Sequence, residues 1–158
     1  MKIVLKFGGT SLASPKDIRN VAKTITSFSK GNQIVVVCSA VDGVTDDLIT
    51  ISRLIEQRRK NNIVANLNGV IIKHRKLANQ TIKNSVIKKQ LLEKLNTDVS
   101  ELQELVRGLT LLKEVSARSL DYLISFGERL SDDLVSYALQ DLKKKSTALN
   151  GKEVGIVT

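Results

Sequence analysis

MKIVLKFGGTS, residues 1–11, is the stretch on which the fold reading turns. Ile3, Val4 and Leu5 read as a short buried strand. Lys6 and Phe7 come next, then Gly8, Gly9, Thr10 and Ser11. A cation at the end of a strand thus enters a loop whose glycines permit unusual backbone angles. Successive backbone N–H groups in such a loop form a concavity suited to an anion, and a lysine adds a point charge beside it. The spacing differs from a P-loop, which places its lysine after the last glycine, and from the dinucleotide fingerprint, which needs a third glycine. Taken alone, the stretch reads equally well as a strand-ending turn.

The residues downstream make a βαβ unit of it. Ser14-Pro15-Lys16-Asp17 is a helix start, with Ser14 as N-cap and Pro15 in the first turn. Ile18, Val21, Ile25 and Phe28 then recur at helical spacing, and Gly31-Asn32 closes the helix. Gln33 to Cys38 (QIVVVC) is a second strand without polar alternation, the pattern of a strand covered on both faces in a parallel sheet. A second loop, Ser39 to Thr45, leads to a helix with Asp46 and Asp47 in its first turn and Thr45 at the N-cap. Residues 58–116 are expected to be helical, with turns near Asn61-Asn62, Asn96-Thr97 and Gly108. His74, among Lys73, Arg75 and Lys76, is expected on a helix surface.

Residues 117–142 form the last long helical stretch. Gly127 interrupts it, at a cost of roughly 1 kcal/mol against alanine that close packing or a ligand should offset. Lys143, Lys144 and Lys145 suit the negative end of that helix. Ser146 to Leu149 and Val154 to Thr158 are expected as two short strands around Asn150-Gly151.

Composition bounds the function. The chain has 158 residues, 42% of them hydrophobic and 26% charged, as in a one-domain globular protein. No apolar run reaches membrane-spanning length, and the N-terminus lacks a signal-peptide pattern, so a cytoplasmic protein is expected. One cysteine, Cys38, and one histidine, His74, exclude a Cys/His zinc cluster within the chain. The net charge of +9 is uneven: +2 over residues 1–50, +8 over 51–100 and −1 over 101–158. Aromatic content is only 3%, so the basic middle segment reads as a solvated helical face rather than a nucleic-acid surface.

Three loops carry the chemistry: Lys6 to Ser11, Ser39 to Thr45, and FGERLS at 126–131. In a parallel α/β sheet, ligands bind outside the carboxyl ends of the strands, and the first two loops leave such ends. A basic side chain, hydroxyls and a carboxylate beside a phosphate cradle suit phosphoryl transfer to a small zwitterionic acceptor.

KFGGTS (6–11), SAVDGVTDDL (39–48) and SFGERLS (125–131), in this order, resemble the N-terminal part of the catalytic domain of aspartate kinases (aspartokinases) in the amino-acid kinase family. GKEVGIVT (151–158) extends the resemblance to the chain's end. It implies an α/β fold: a three-layer αβα sandwich around a mainly parallel sheet, incomplete here and with a large helical portion. Residues 1–158 would be one part of that domain, without the nucleotide half or the regulatory ACT domains. The implied reaction is ATP-dependent phosphorylation of the L-aspartate side-chain carboxylate to 4-phospho-L-aspartate, the first step toward lysine, threonine and methionine. By motif, Lys6 is the catalytic lysine. Lys6, Gly8, Gly9, Thr10 and Ser11 hold phosphate, and Ser39, Thr45 and Glu128 contact aspartate.

ATP is then a co-substrate with Mg²⁺, and no protein ligand for the metal, no tightly bound cofactor, and no nucleic-acid or membrane partner is expected. The expected assembly is a homodimer or an association with the missing half, and the 158-residue chain alone is expected to be inactive. Asp132 and Asp133 are expected as surface or supporting groups. A kinase of the same family with another carboxylate or carbamate acceptor, and a non-catalytic interaction module, are the alternatives.

Overall fold

The computed structural model describes residues 1–151 and 153–155. Two strands, β1 (Lys2–Phe7) and β2 (Gln33–Cys38), lie parallel and in register from Lys2 opposite Gln33 to Phe7 opposite Cys38. Between them runs α1 (Pro15–Phe28), capped as expected by Ser14, whose side chain accepts from the Asp17 N–H at 3.2 Å. Four further helices complete the order: α2 (Val44–Glu56), α3 (Lys60–Thr81), α4 (Ser85–Leu112) and α5 (Ala117–Asp141). The mixed α/β architecture with a parallel sheet and a large helical part is the one expected.

The helices bury one face of the sheet. Leu5 and Phe7 of β1, with Ile34, Val36 and Cys38 of β2, pack toward the helical core, and Ile3 is half-buried on the same face. The other face carries Lys2, Val4 and Lys6 opposite Gln33, Val35 and Val37, all exposed. Val4 is 68% exposed and Val35 57%, so the expectation of a strand covered on both faces is corrected. Strand alternation puts every second residue on the open face, and no helix among the described residues covers it.

α5 is the central helix. It packs against α1, α2, α3, α4 and β2, burying Leu123, Phe126, Leu130, Leu134, Val135 and Ala138. Against it, α4 contributes Leu91, Leu95, Val99, Leu102 and Val106 to the same core.

Other details differ from the sequence reading. The chain breaks at Gln57–Arg59, just ahead of the turn expected near Asn61-Asn62, and again at Lys113–Ser116, whereas Asn96-Thr97 and Gly108 lie inside α4; the central break falls at Ile82–Asn84. Asn84 makes the break by accepting from the Val86 and Ile87 N–H groups, while the Asp141 carboxylate takes the Lys83 and Asn84 N–H groups. Thr45 is in the first turn of α2, because Gly43, at φ 77°, takes the capping position. His74 is wholly buried: it lies on the α3 stripe of Leu67, Val70, Ile71, Leu77 and Ala78, and burial lowers its pKa. Ser146 to Leu149 is irregular rather than a strand, and the described part of the second expected strand, Val154 and Gly155, is in a turn. The rest of that strand, Ile156 to Thr158, lies outside the described residues. None of the described helices is long and apolar enough to cross a membrane.

Candidate functional site

The site is built where β1 and β2 end. After Phe7, Gly8 remains extended and Gly9–Leu12 forms a 3-10 turn, closed by Ser11 N–H to the Gly8 carbonyl at 3.0 Å. Leu12 is buried at 1% exposure and anchors this loop to the core. The Ser39 N–H extends the strand ladder to the Phe7 carbonyl at 2.9 Å, so the second loop begins beside the first. The Val44 N–H then bonds the Val41 carbonyl at 2.9 Å, and α2 starts. Gly43 needs to be glycine for its left-handed backbone.

Ala40 is the point on which the three motifs converge. A Cβ added at Gly9 would stand 2.8 Å from the Ala40 carbonyl oxygen. One added at Gly127 would stand 2.7 Å from the Ala40 Cβ. The first loop therefore presses on Ala40 from one side and α5 from the other. This close packing is what offsets the interior glycine of α5. Gly8, by contrast, has open space where a Cβ would be, so the backbone there is free to approach a ligand.

Lys6 is exposed on the open face of β1, opposite Val37, and forms no ion pair among the described residues. Gly8 and Thr10 are exposed beside it, with Ser11 half-buried. Ser39 is half-buried at the start of the second loop, Thr45 is half-buried in the first turn of α2, and Glu128 is half-buried one residue after Gly127. The chain thus brings all three motifs to one edge of the sheet.

Four further groups support this edge, Asp132 among them as the sequence suggested. The Lys73 Nζ of α3 donates to the Asp42 carbonyl at 2.9 Å and lies 3.9 Å from the Asp47 carboxylate, bracing the second loop. The Ser131 hydroxyl donates to the Ser39 carbonyl at 2.7 Å. Asp132 lies against the Cys38 thiol; burial, with the Glu128 charge adding to it, raises the Asp132 carboxyl to about 6 although the thiol bond opposes the rise. Burial, then Asp132, pushes the Cys38 thiol up to about 12, so it is a protonated, unreactive group. In the sequence, Gly127, through its helical cost, and Asp132, expected at the surface or in support, signalled this.

The opposite flank of α5 holds a polar bracket. Arg129 reaches Asp98 at 2.9 Å and Glu101 at 2.6 Å, and its guanidinium stacks 4.3 Å from the Phe126 ring centre. Tyr122 donates to Glu101. Lys94 lies 2.6 Å from Asp98 and 3.6 Å from Asp133, and both carboxylates are almost fully buried. Burial, together with Asp98, holds the Asp133 carboxyl high. Asp133, expected at the surface or in support, is therefore a buried member of the α4–α5 bracket. Among the described residues, no group of three or more His, Cys, Asp and Glu side chains could hold a metal ion. Two surface depressions lie elsewhere, at Gln140 to Thr147 and at the opposite end of the strands around Met1, Ser29 and Gln33.

The model of the Amino acid kinase family matches residues 1–157. Aspartokinase 1, chloroplastic, of Arabidopsis thaliana is 31% identical over 159 residues, covering 98% of this chain and 26% of that protein. The aspartokinase of Candida albicans is 30% identical over 160 residues, covering 96% of this chain and 28% of that protein. The chain thus spans about a quarter of the length of these relatives. Among solved structures, Escherichia coli aspartokinase III in complex with aspartate and ADP superposes with a TM-score of 0.75, at 22% identity, over 90% of this chain and 30% of that one.

Proposed function

The chain belongs to the amino acid kinase family, and on that premise we propose that it forms the N-terminal part of an aspartokinase catalytic domain. The complete enzyme would transfer the γ-phosphoryl group of ATP to the side-chain carboxylate of L-aspartate. The observation that carries this reading is the convergence on Ala40. Gly9 of the glycine loop and Gly127 of the GERLS motif each make contact there that leaves no room for a side chain. A glycine loop, a hydroxyl-bearing loop and a helix carrying Glu128 thereby share one edge.

The chemistry requires little of the protein beyond position and charge. An aspartate side-chain oxygen, already ionised at neutral pH, attacks the γ-phosphorus. The bond from that phosphorus to the β–γ bridging oxygen breaks, ADP leaves, and an acyl phosphate remains. Lys6, exposed at the strand end, would neutralise charge on the transferred group. The backbone of Gly8 to Ser11 would cradle the phosphates. Ser39 and Thr45 would hydrogen-bond the acceptor, and Glu128 would hold its ammonium group. Mg²⁺ arriving with ATP would screen the phosphate charge.

The uncovered face of β1 and β2, with Val4, Val35 and Val37 exposed, supports a second layer supplied by further chain or by association, which would bring the rest of the nucleotide site. Action in the cytoplasm fits the composition. The test is a hydroxylamine trap for acyl phosphate with Mg·ATP and L-aspartate. The purified 158-residue chain is expected to give no appreciable product. Turnover by the chain alone, near that of a full-length aspartokinase, refutes the division of the site.

A further inference from the structure

The helical turn Glu128–Ser131 carries one group with no role in the proposed reaction, the Ser131 hydroxyl. Ser131 is wholly buried. Its Oγ is 2.7 Å from the Ser39 carbonyl oxygen, 92 residues away in sequence, and 2.9 Å from the Glu128 carbonyl of its own helix. A hydroxyl has one proton to give. The helix carbonyl alone would satisfy it: Ser52 of α2 and Ser125 of α5 each donate to the carbonyl three residues back, at 2.7 Å, and to nothing else. The nearer bond across to Ser39 is therefore additional to what a helical serine needs. It joins the backbone of one residue assigned to the acceptor to the turn bearing another.

Neighbouring contacts seat the same turn. Gly127 touches Ala40 on one side of Glu128, and Asp132 meets Cys38 on the other. Of these contacts, the Ser131 bond is the one that a single-atom change removes without altering volume or charge.

We propose that Ser131 is a positioning residue: its hydroxyl fixes the Ser39 backbone against the turn that carries Glu128, and so sets the separation of the two groups. The consequence for an amino-acid acceptor rests on the function proposed above; the positioning itself does not.

The test uses Ser131→Ala, which removes the donor, and Ser131→Thr, which keeps it. Ser136→Ala is the control: Ser136 is a second buried serine of α5, whose contacts run to Ser146 instead. Amide hydrogen exchange is followed by NMR in the 158-residue chain, with an L-aspartate titration of each variant. In Ser131→Ala the amides of Ala40 to Val44 should exchange about tenfold faster while α4 amides hold. Ser136→Ala should leave the loop unchanged. Where wild type takes L-aspartate, Ser131→Ala should weaken it about tenfold, with Ser131→Thr recovering most of the loss. Unchanged loop exchange in Ser131→Ala, or an equal rise in Ser136→Ala, overturns the positioning. Faster loop exchange in a chain whose wild type takes no L-aspartate supports the positioning and counts against the acceptor reading.

Discussion

Replacing Gly127 with alanine should destabilise this protein, although the same change at two other helix-interior glycines should stabilise it. Alanine exceeds glycine in a helix by about 1 kcal/mol. At Gly69 of α3 and Gly108 of α4 an added Cβ meets nothing within 4 Å, so the gain should be realised. At Gly127 the new carbon would stand 2.7 Å from the Ala40 Cβ, 3.5 Å from Val44 Cγ1 and 3.6 Å from Leu48 Cδ1. Carbon contacts are optimal at about 3.5–4.0 Å, so either α5 or the Ser39–Thr45 loop must retreat by about 1 Å. Overpacking of this kind costs about 1–3 kcal/mol. Net of the helical gain, Gly127→Ala should lose about 0–2 kcal/mol, and should fall about 1–3 kcal/mol below Gly108→Ala. At this chain length each kcal/mol moves Tm by about 2–4 °C. Urea unfolding followed by far-UV circular dichroism measures the contrast. A Gly127→Ala chain as stable as Gly108→Ala would refute the convergence on Ala40.

Three further outcomes are expected. Asn84→Ala removes the cap that accepts from the Val86 and Ile87 N–H groups, and should cost about 1 kcal/mol in the same unfolding assay. Arg129→Ala leaves the buried Asp98 with Lys94 alone and exposes one side of Phe126; a loss of about 3 kcal/mol is expected, and a loss within experimental error would show the bracket to be ornamental. Asp132→Asn has a pH signature. The folded-state carboxyl is raised from 3.8 to about 6, so the folded chain holds the proton more tightly and wild-type stability falls as pH rises across that window. The variant lacks this loss: it should match wild type near pH 4 and exceed it by about 1–2 kcal/mol above pH 7, after discounting for partial exposure. Equal Tm differences at both ends would contradict the assignment.

The sequence made the βαβ start plain because its signals are local. Ser14-Pro15 fixes the start of α1, and an unbroken QIVVVC run fixes β2. The same run misled on its outer face, since apolar composition cannot say whether a covering layer is present. Asn96-Thr97 and Gly108 looked like turns but sit inside α4, where packing overrides weak propensity. The central break depends on Asp141, more than fifty residues away, and no local pattern reports such a partner. His74 was misread because its lysine-rich neighbours hid its place on the Leu67–Val70–Leu77 stripe. At the site, the three motifs were legible as motifs. The groups that lock them together are Ala40 and Ser131, which lie inside the motifs but whose cross-chain contacts no local pattern reports, and the distant Lys73.

The central claim is that this chain carries the aspartate side of a kinase site. Titration of the ¹⁵N-labelled 158-residue chain with L-aspartate, in wild type and Glu128→Ala, tests it most directly. Saturable shifts confined to the amides around Ser39 to Thr45 and Glu128, lost in Glu128→Ala and absent with succinate, which lacks the ammonium group, are the expected result. Shifts that are absent, scattered over the basic helices, or indifferent to Glu128 would contradict it.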